Sequence, residues 1–166
     1  MAYFDNNATT RPCDVAKVAH AAALEEDWRN PSTPSSGAAR VRAKLEKSRD
    51  ELAALLAVPP DTLSFTSGAT EANNAVFTHL ARVSAPDARV LLSSVEHPSV
   101  RESAFHHFQG RVDELHVDAA GIVSPDHLSS VLDAQKYALI AVMAANNETG
   151  VVQPWPELVD LCRQRN

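Results

Sequence analysis

The chain has 166 residues, of which 45% are hydrophobic and 22% are charged, so one domain with a buried core is expected and extensive disorder is excluded. Its net charge is -6 and no block of lysine and arginine occurs, which argues against a nucleic-acid or membrane surface. The chain opens on no basic or apolar leader, and its longest apolar run is about half the length that a bilayer requires. Because Cys13 and Cys162 form no CxxC pair, a reducing, cytoplasmic location is expected.

The first third of the chain is expected to be helical. Residues 1–30 are predicted to form an N-terminal arm and a helix, and residues 31–166 to belong to an α/β domain. Proline and serine cluster in Asn30 to Gly37, which indicates a loop. Apolar residues then recur at helical spacing from Val41 to Leu55, which predicts an amphipathic helix of about four turns that Pro59-Pro60 ends.

Beyond this helix, short apolar segments alternate with helical stretches. Strands are predicted at Leu63–Thr66, Arg89–Ser93, Arg111–Val117 and Tyr137–Ala145. One helix is expected to end at about Val83, and another to follow Pro98. A third is expected to begin after the N-cap Ser124, with Pro125 at its first position, and the last to cover Glu157–Arg165. The last strand is apolar throughout, which is typical of a central parallel strand. The alternation predicts an α/β fold of three layers, with a mainly parallel sheet flanked by helices.

Three polar segments follow predicted strands: Ser67–Thr70, Glu96–Pro98 and Asn146–Gly150. Ligands of open α/β sheets bind at this edge, outside the carboxyl ends of the strands. The small residues of the first segment, at a strand-to-helix turn, suit a phosphate. The alternative for this segment is a tight turn with Ser67 or Thr70 as the helix N-cap.

His97 and Asn146 are candidate site residues with simpler alternatives. A histidine at the end of a strand can stack on a planar cofactor or move protons, but it can also be a surface or capping residue. The Asn146 amide can bind a cofactor oxygen or a substrate carboxylate, or it can form a turn. The other histidines lack metal-ligand spacing, so no metal site is expected, and His106-His107 is interpreted as a solvated helix face.

Five motifs together resemble the class V aminotransferase family of pyridoxal-phosphate enzymes (fold type I), and within it the cysteine desulfurases. Tyr3–Thr10 is similar to that family's opening Y-L-D-N-A-A-T-T. The other four matching segments are Asn30-Pro-Ser32, Ser67-Gly-Ala-Thr-Glu-Ala-Asn-Asn74, Glu96-His97 and Asn146-Asn-Glu-Thr-Gly-Val-Val-Gln153. The matches run in order along nearly the whole chain, which makes coincidence a poor explanation.

The resemblance implies pyridoxal 5'-phosphate as the cofactor. It implies that Ala69 and Thr70 bind the phosphate, through backbone N–H and hydroxyl. His97 would be the catalytic residue of this chain, stacked on the cofactor ring and assisting proton transfer. Asn146 would lie near the phenolic oxygen and the substrate carboxylate, and Asn6–Thr10 would form an arm that approaches the site.

The residues of covalent chemistry are not found. In the family a lysine of an S-x-H-K motif holds the cofactor, and this motif does not occur here. None of Lys17, Lys44, Lys47 and Lys136 is a good substitute, and Cys13 and Cys162 are interpreted as structural. The aspartate that pairs with the pyridine nitrogen and the nucleophilic cysteine are also missing. We therefore expect the N-terminal portion of an enzyme, inactive alone.

The resemblance implies removal of sulfur from L-cysteine, giving L-alanine and a cysteine persulfide for a sulfur-acceptor protein, as in iron–sulfur cluster assembly. The chain is expected to act as a homodimer or with a complementary C-terminal chain. Two alternatives remain open. One is another class V enzyme such as selenocysteine lyase, and the other is a non-catalytic binding or scaffold module that needs a partner because its half-sheet exposes strand edges.

Overall fold

The computed structural model describes residues 2–165. They form two compact units, one ending at Phe65 and the other beginning at Thr66. The domain boundary expected at residues 30 and 31 remains a prediction. Over the described part of the chain, no helix combines the length and the apolar character needed to cross a bilayer.

The first unit consists of helix α1 (Asp14–Glu26), helix α2 (Ser36–Leu56) and a short 3₁₀ helix (Pro60–Thr62). The predicted amphipathic helix is confirmed as α2, which begins earlier because the Ser35 hydroxyl accepts a hydrogen bond from the Ala38 N–H group. The helix is followed by the C-cap residue Ala57, which has the left-handed conformation with φ of 54°. The loop before α2 is held by Arg42, whose guanidinium donates two bonds to the Pro31 carbonyl at 2.8 and 3.0 Å.

The strand predicted at Leu63–Thr66 is wrong. These residues belong to no sheet of the described chain, although Leu63 itself has an extended backbone. A strand requires a neighbour for its backbone groups, and in the described chain the Leu63 carbonyl accepts from the Arg49 guanidinium instead. The same guanidinium lies over the ring of Phe65, 4.9 Å from its centroid. Local strand propensity therefore agrees with the extended backbone of Leu63 but did not predict the absence of a pairing strand.

The second unit is a parallel sheet covered by helices on both faces. Its strands are β1 (Val90–Ser93), β2 (Val112–Leu115) and β3 (Leu139–Ala141), in the order β2-β1-β3. Val90 lies opposite Val112 of β2 and Leu139 of β3. The helices are α3 (Ala69–Val83), α4 (Pro98–His107), α5 (Pro125–Ala134) and α6 (Trp155–Gln164).

Alternation along β1 separates two cores. On one face Val90 and Leu92 pack with Phe77 of α3 and with Ala104 and Phe108 in and after α4. On the other face Leu91 packs with the residues Leu115, Val123, Leu128 and Leu158. The predicted α/β fold with three layers is confirmed.

The central position predicted for Tyr137–Ala145 is not seen among the described strands. Among the described strands the central one is β1, whose four residues are all buried, whereas β3 has three partly buried residues at the edge. The apolar run arises because both faces of β3 contact helical layers, with Leu139 towards one core and Ile140 towards the other. The apolar composition correctly indicated that both faces of this strand are covered. An edge strand between two helical layers has this property as well as a central strand.

Candidate functional site

The carboxyl ends of β1 and β3 are joined by one carboxylate. Oε1 of Glu96 accepts a hydrogen bond from the Ser93 hydroxyl at 2.7 Å and another from the backbone N–H group of Met143. Glu96 thereby connects the loop after β1 to the loop after β3. The residue before His97 is thus a structural acceptor that fixes the edge on which the candidate residues lie.

Helix α3 begins at Ala69 with its first N–H groups uncapped by any side chain. The N-cap is Gly68, so the alternative with Ser67 or Thr70 as N-cap is wrong. Instead, Glu71 accepts from the Ser67 hydroxyl and backbone N–H, both at 2.7 Å, and these bonds lower the pKa of its carboxyl. A Cβ added at Gly68 would meet no atom within 4 Å, so the helix end is open. Such an end attracts anions.

His97 is the N-cap of α4 and also lines a cleft. Its Nδ1 accepts a hydrogen bond from the Ser99 backbone N–H at 3.1 Å, so the capping interpretation is confirmed. The cleft has a volume of about 630 Å³ between α3 and α4, and Thr70 and His97 both line it. Two of the candidate residues are therefore brought together from segments that are far apart in sequence.

Asn146 forms a turn and does not line this cleft. Its Oδ1 accepts from the N–H groups of Glu148 and Thr149, both at 2.9 Å. Its Nδ2 donates to the Val95 carbonyl at 3.3 Å and contacts the Met143 sulfur at 3.4 Å. The turn alternative is confirmed, and the bond to Val95 places the loop beside the segment that carries His97.

Two residues behind His97 were not singled out from the sequence. Nδ2 of Asn73, on α3, donates to Oγ of Ser99 at 2.9 Å, and this Oγ lies 2.8 Å from Nδ1 of His97. Ser99 is buried and Asn73 is partly buried. Asn73 belongs to the Ser67–Asn74 motif, which was a weak signal. Its contact with Ser99 crosses 26 positions and could not be read from spacing.

No lysine of the second unit lies on this edge in the described structure. Lys136, the lysine of that unit, is exposed and precedes β3, at the opposite end of the strand from Asn146. The remaining lysines belong to the first unit, where Lys17, Lys44 and Lys47 form ion pairs with carboxylates.

The cysteines and the histidine pair are only partly as predicted. Cys162 packs against the second core, and burial raises the pKa of its thiol, in agreement with a structural role. Cys13 is exposed at the N-cap of α1, and its structural interpretation remains a prediction. His106 is exposed, but His107 is half-buried and 3.1 Å from the Thr78 hydroxyl, and desolvation lowers its pKa.

The donors on this edge fit the cofactor that the motifs imply. An open helix end, the Thr70 hydroxyl and an imidazole occupy neighbouring positions, which matches a phosphate and a planar ring. The group that would hold an aldehyde covalently is not among the described residues of this edge. This edge of the sheet therefore fits the non-covalent contacts to the cofactor's phosphate and ring.

The chain belongs to the family described as aminotransferase class-V, whose model matches residues 2–166. This family depends on pyridoxal phosphate. The predicted family and cofactor class are therefore confirmed, while the roles of individual site residues remain proposals.

Several curated proteins are similar to nearly the whole chain. It is 36% identical to a "NifS/IcsS protein homolog" of Lactobacillus delbrueckii, with 97% of this chain and 42% of that protein covered. It is 32% identical to "Cysteine desulfurase IscS" of Dictyoglomus turgidum, covering 98% and 42%. It is 30% identical to "Selenocysteine lyase" of Xenopus tropicalis, covering 94% and 40%. The chain thus spans about 42% of the length of such relatives, as an N-terminal part.

A solved structure has the same fold. The structure titled "NIFS-LIKE PROTEIN" superposes with a TM-score of 0.88 at 30% identity, covering 99% of this chain and 46% of that one. The likeness therefore extends over the described residues, including the edge with Thr70 and His97.

Proposed function

We propose that this chain is the N-terminal part of a cysteine desulfurase. In the proposed reaction the C–S bond of L-cysteine breaks, an S–S bond forms to a cysteine thiol, and L-alanine and a cysteine persulfide result. The thiol and the lysine that holds the cofactor would be supplied by residues other than 2–165. A sulfur-acceptor protein would then take the persulfide sulfur.

One observation supports this proposal most directly. Thr70 and His97 line one cleft beside an uncapped helix start, in a chain of a pyridoxal-phosphate family. The groups that would bind the cofactor at such an edge are already in place, so the protein needs little reorganisation when the cofactor binds. The similarity to proteins named cysteine desulfurase favours this reaction within the family.

We propose separate tasks for the residues of the edge. The N–H groups of Ala69 and Thr70, with the Thr70 hydroxyl, bind the phosphate, and the α3 dipole favours its negative charge. His97 lies against the cofactor ring and exchanges a proton with the substrate. Asn146 contributes one amide hydrogen, released from the Met143 sulfur, which is the weaker of its two acceptors. When bound, the cofactor supplies electron withdrawal from the substrate.

The phosphate role of Thr70 is tested by Thr70→Val. The assay is binding of pyridoxal 5'-phosphate to this chain combined with a polypeptide that carries the S-x-H-K region. Because a hydrogen bond to a charged group is lost, the Kd is expected to rise about tenfold or more. The matched control is Thr78→Val on the same helix, whose hydroxyl lies against His107 and outside the cleft. Equal Kd values for the two variants would contradict the assignment.

The substrate is tested in the same combined protein by following alanine from L-cysteine and from L-selenocysteine. We expect turnover of L-cysteine, and none by the 166-residue chain alone. A strong preference for L-selenocysteine would favour the selenocysteine lyase alternative, which the Xenopus tropicalis relative motivates. Cofactor binding without any turnover would favour a non-catalytic module.

A further inference from the structure

The ring of His97 has its two nitrogens in different environments. Nδ1 is directed at the first turn of α4, where Ser99 contacts it twice, through its backbone nitrogen at 3.1 Å and through Oγ at 2.8 Å. Nε2 lies across the ring from this contact. His97 is exposed on the cleft, but the Nδ1 edge of its ring contacts the protein through Ser99.

The backbone contact alone decides the role of Nδ1. A backbone N–H can only donate, so Nδ1 must present its lone pair to the N–H group of Ser99. A neutral imidazole carries one proton, on one nitrogen or the other. If Nδ1 accepts, the proton lies on Nε2.

Asn73 directs the Ser99 hydroxyl in the same sense. Its Nδ2 donates to Ser99 Oγ at 2.9 Å, which uses a lone pair of the hydroxyl oxygen and leaves the hydroxyl hydrogen free. The available acceptor at hydrogen-bond distance is Nδ1 of His97. The hydrogen bonds therefore run from Asn73 to Ser99 and from Ser99 to His97. Ser99, the middle member of this series, is buried.

We propose that Ser99, directed by Asn73, is a positioning residue that fixes His97 as the tautomer with its proton on Nε2. Two donors converge on Nδ1, so that nitrogen is removed from proton exchange. The polar N–H edge of the ring is Nε2, opposite the helix start. The consequence for catalysis rests on the proposed function: His97 would donate a proton to substrate through Nε2. The tautomer itself does not depend on that function.

The test is nitrogen-15 NMR of the 166-residue chain with labelled histidine, at a pH at which the imidazoles are neutral and without cofactor. The His97 signals, assigned by their loss in His97→Gln, are expected to show the Nε2–H pattern. Exposed His106 provides an internal reference with averaged signals. An Nδ1–H pattern for His97, or averaging equal to that of His106, would overturn the proposal.

Variants separate positioning from general structure. Ser99→Ala removes one of the two donors, and we expect the tautomer ratio to shift about fivefold towards Nδ1–H, the effect of one neutral hydrogen bond. Ser99→Thr keeps the hydroxyl and should restore the wild-type pattern. Asn73→Asp should shift the ratio as Ser99→Ala does, because a carboxylate would take the hydroxyl hydrogen.

Ser103→Ala is the control, since its hydroxyl on the same helix donates to the Ser99 carbonyl at 2.7 Å rather than to the ring. Equal shifts for Ser99→Ala and Ser103→Ala would sink the positioning role. The wild-type spectrum decides the tautomer even if a variant does not fold. A fixed tautomer in a chain that fails to bind cofactor would refute the proposed function alone. Cofactor binding with an averaged His97 would refute this proposal alone.

Discussion

The side chain of Gln153 is 2% exposed, and both of its polar atoms bond to backbone groups of a distant loop. Its Oε1 accepts from the Val123 N–H at 2.8 Å, and its Nε2 donates to the Gly121 carbonyl at 2.7 Å. The left-handed Gly121 turn, with φ of 81°, is thereby held against the loop that follows β3. The last residue of the Asn146–Gln153 motif is thus structural.

Gln153→Leu is expected to destabilise the fold strongly, because it leaves a buried N–H and a carbonyl without partners. The expected loss in the free energy of unfolding is about 3 kcal/mol, at roughly 1–3 kcal/mol for each unsatisfied group. Urea unfolding measures it. Gln135→Leu, at an exposed position after α5, is the control and should change stability by about 0.5 kcal/mol or less. Similar losses for both variants would contradict this role.

At the scale of elements, β1 and β2 are linked by an ion pair in addition to their ladder. The guanidinium of Arg89, just before β1, binds both carboxylate oxygens of Asp113 on β2, with Nε 2.7 Å from Oδ2. The bonds from Arg89 lower the pKa of Asp113. Because the side chains are about a third exposed, at 31% and 33%, water screens part of the interaction.

Acid should therefore remove the contribution of Asp113. A carboxyl whose pKa is lowered in the folded state adds stability above its unfolded pKa and loses it as the pH falls through the folded pKa. We expect Asp113→Asn to be less stable than wild type at neutral pH, and the difference to shrink below about pH 4. Unfolding free energies measured across this range provide the test. Asp87→Asn, in an exposed loop, should show no such trend, and a pH-independent difference for Asp113→Asn would be inconsistent with the ion pair.

The elements that could be predicted are those whose signals are local. The N-cap Ser124, followed by Pro125, places the start of α5, and its hydroxyl accepts from the His127 N–H as expected. The strand at Leu63–Thr66 failed, and the central position of Tyr137–Ala145 is not seen among the described strands, because both features depend on pairing. Hydrogen-bond partners of strands lie far away in sequence, so apolar composition does not specify them.

At the scale of the whole molecule, the motifs were sufficient for the family and for the layered fold. They also identified Thr70 and His97, which share a cleft although their positions are far apart in the chain. They did not predict that Asn146 would be occupied with its own turn, or that Asn73 and Ser99 would lie behind His97. These contacts depend on how α3, α4 and the loops pack, and no local pattern encodes them.

The central claim is that the start of α3 and His97 form a site for a phosphorylated pyridine. The most direct measurement is backbone and histidine-ring NMR of the chain titrated with pyridoxine 5'-phosphate, which has no aldehyde to react with surface lysines. Saturable shifts are predicted for the Ala69 and Thr70 amides and for the His97 ring, with little change along Leu139–Ala141. Unphosphorylated pyridoxine should bind more weakly. Shifts elsewhere only, or equal binding of both compounds, would contradict the claim.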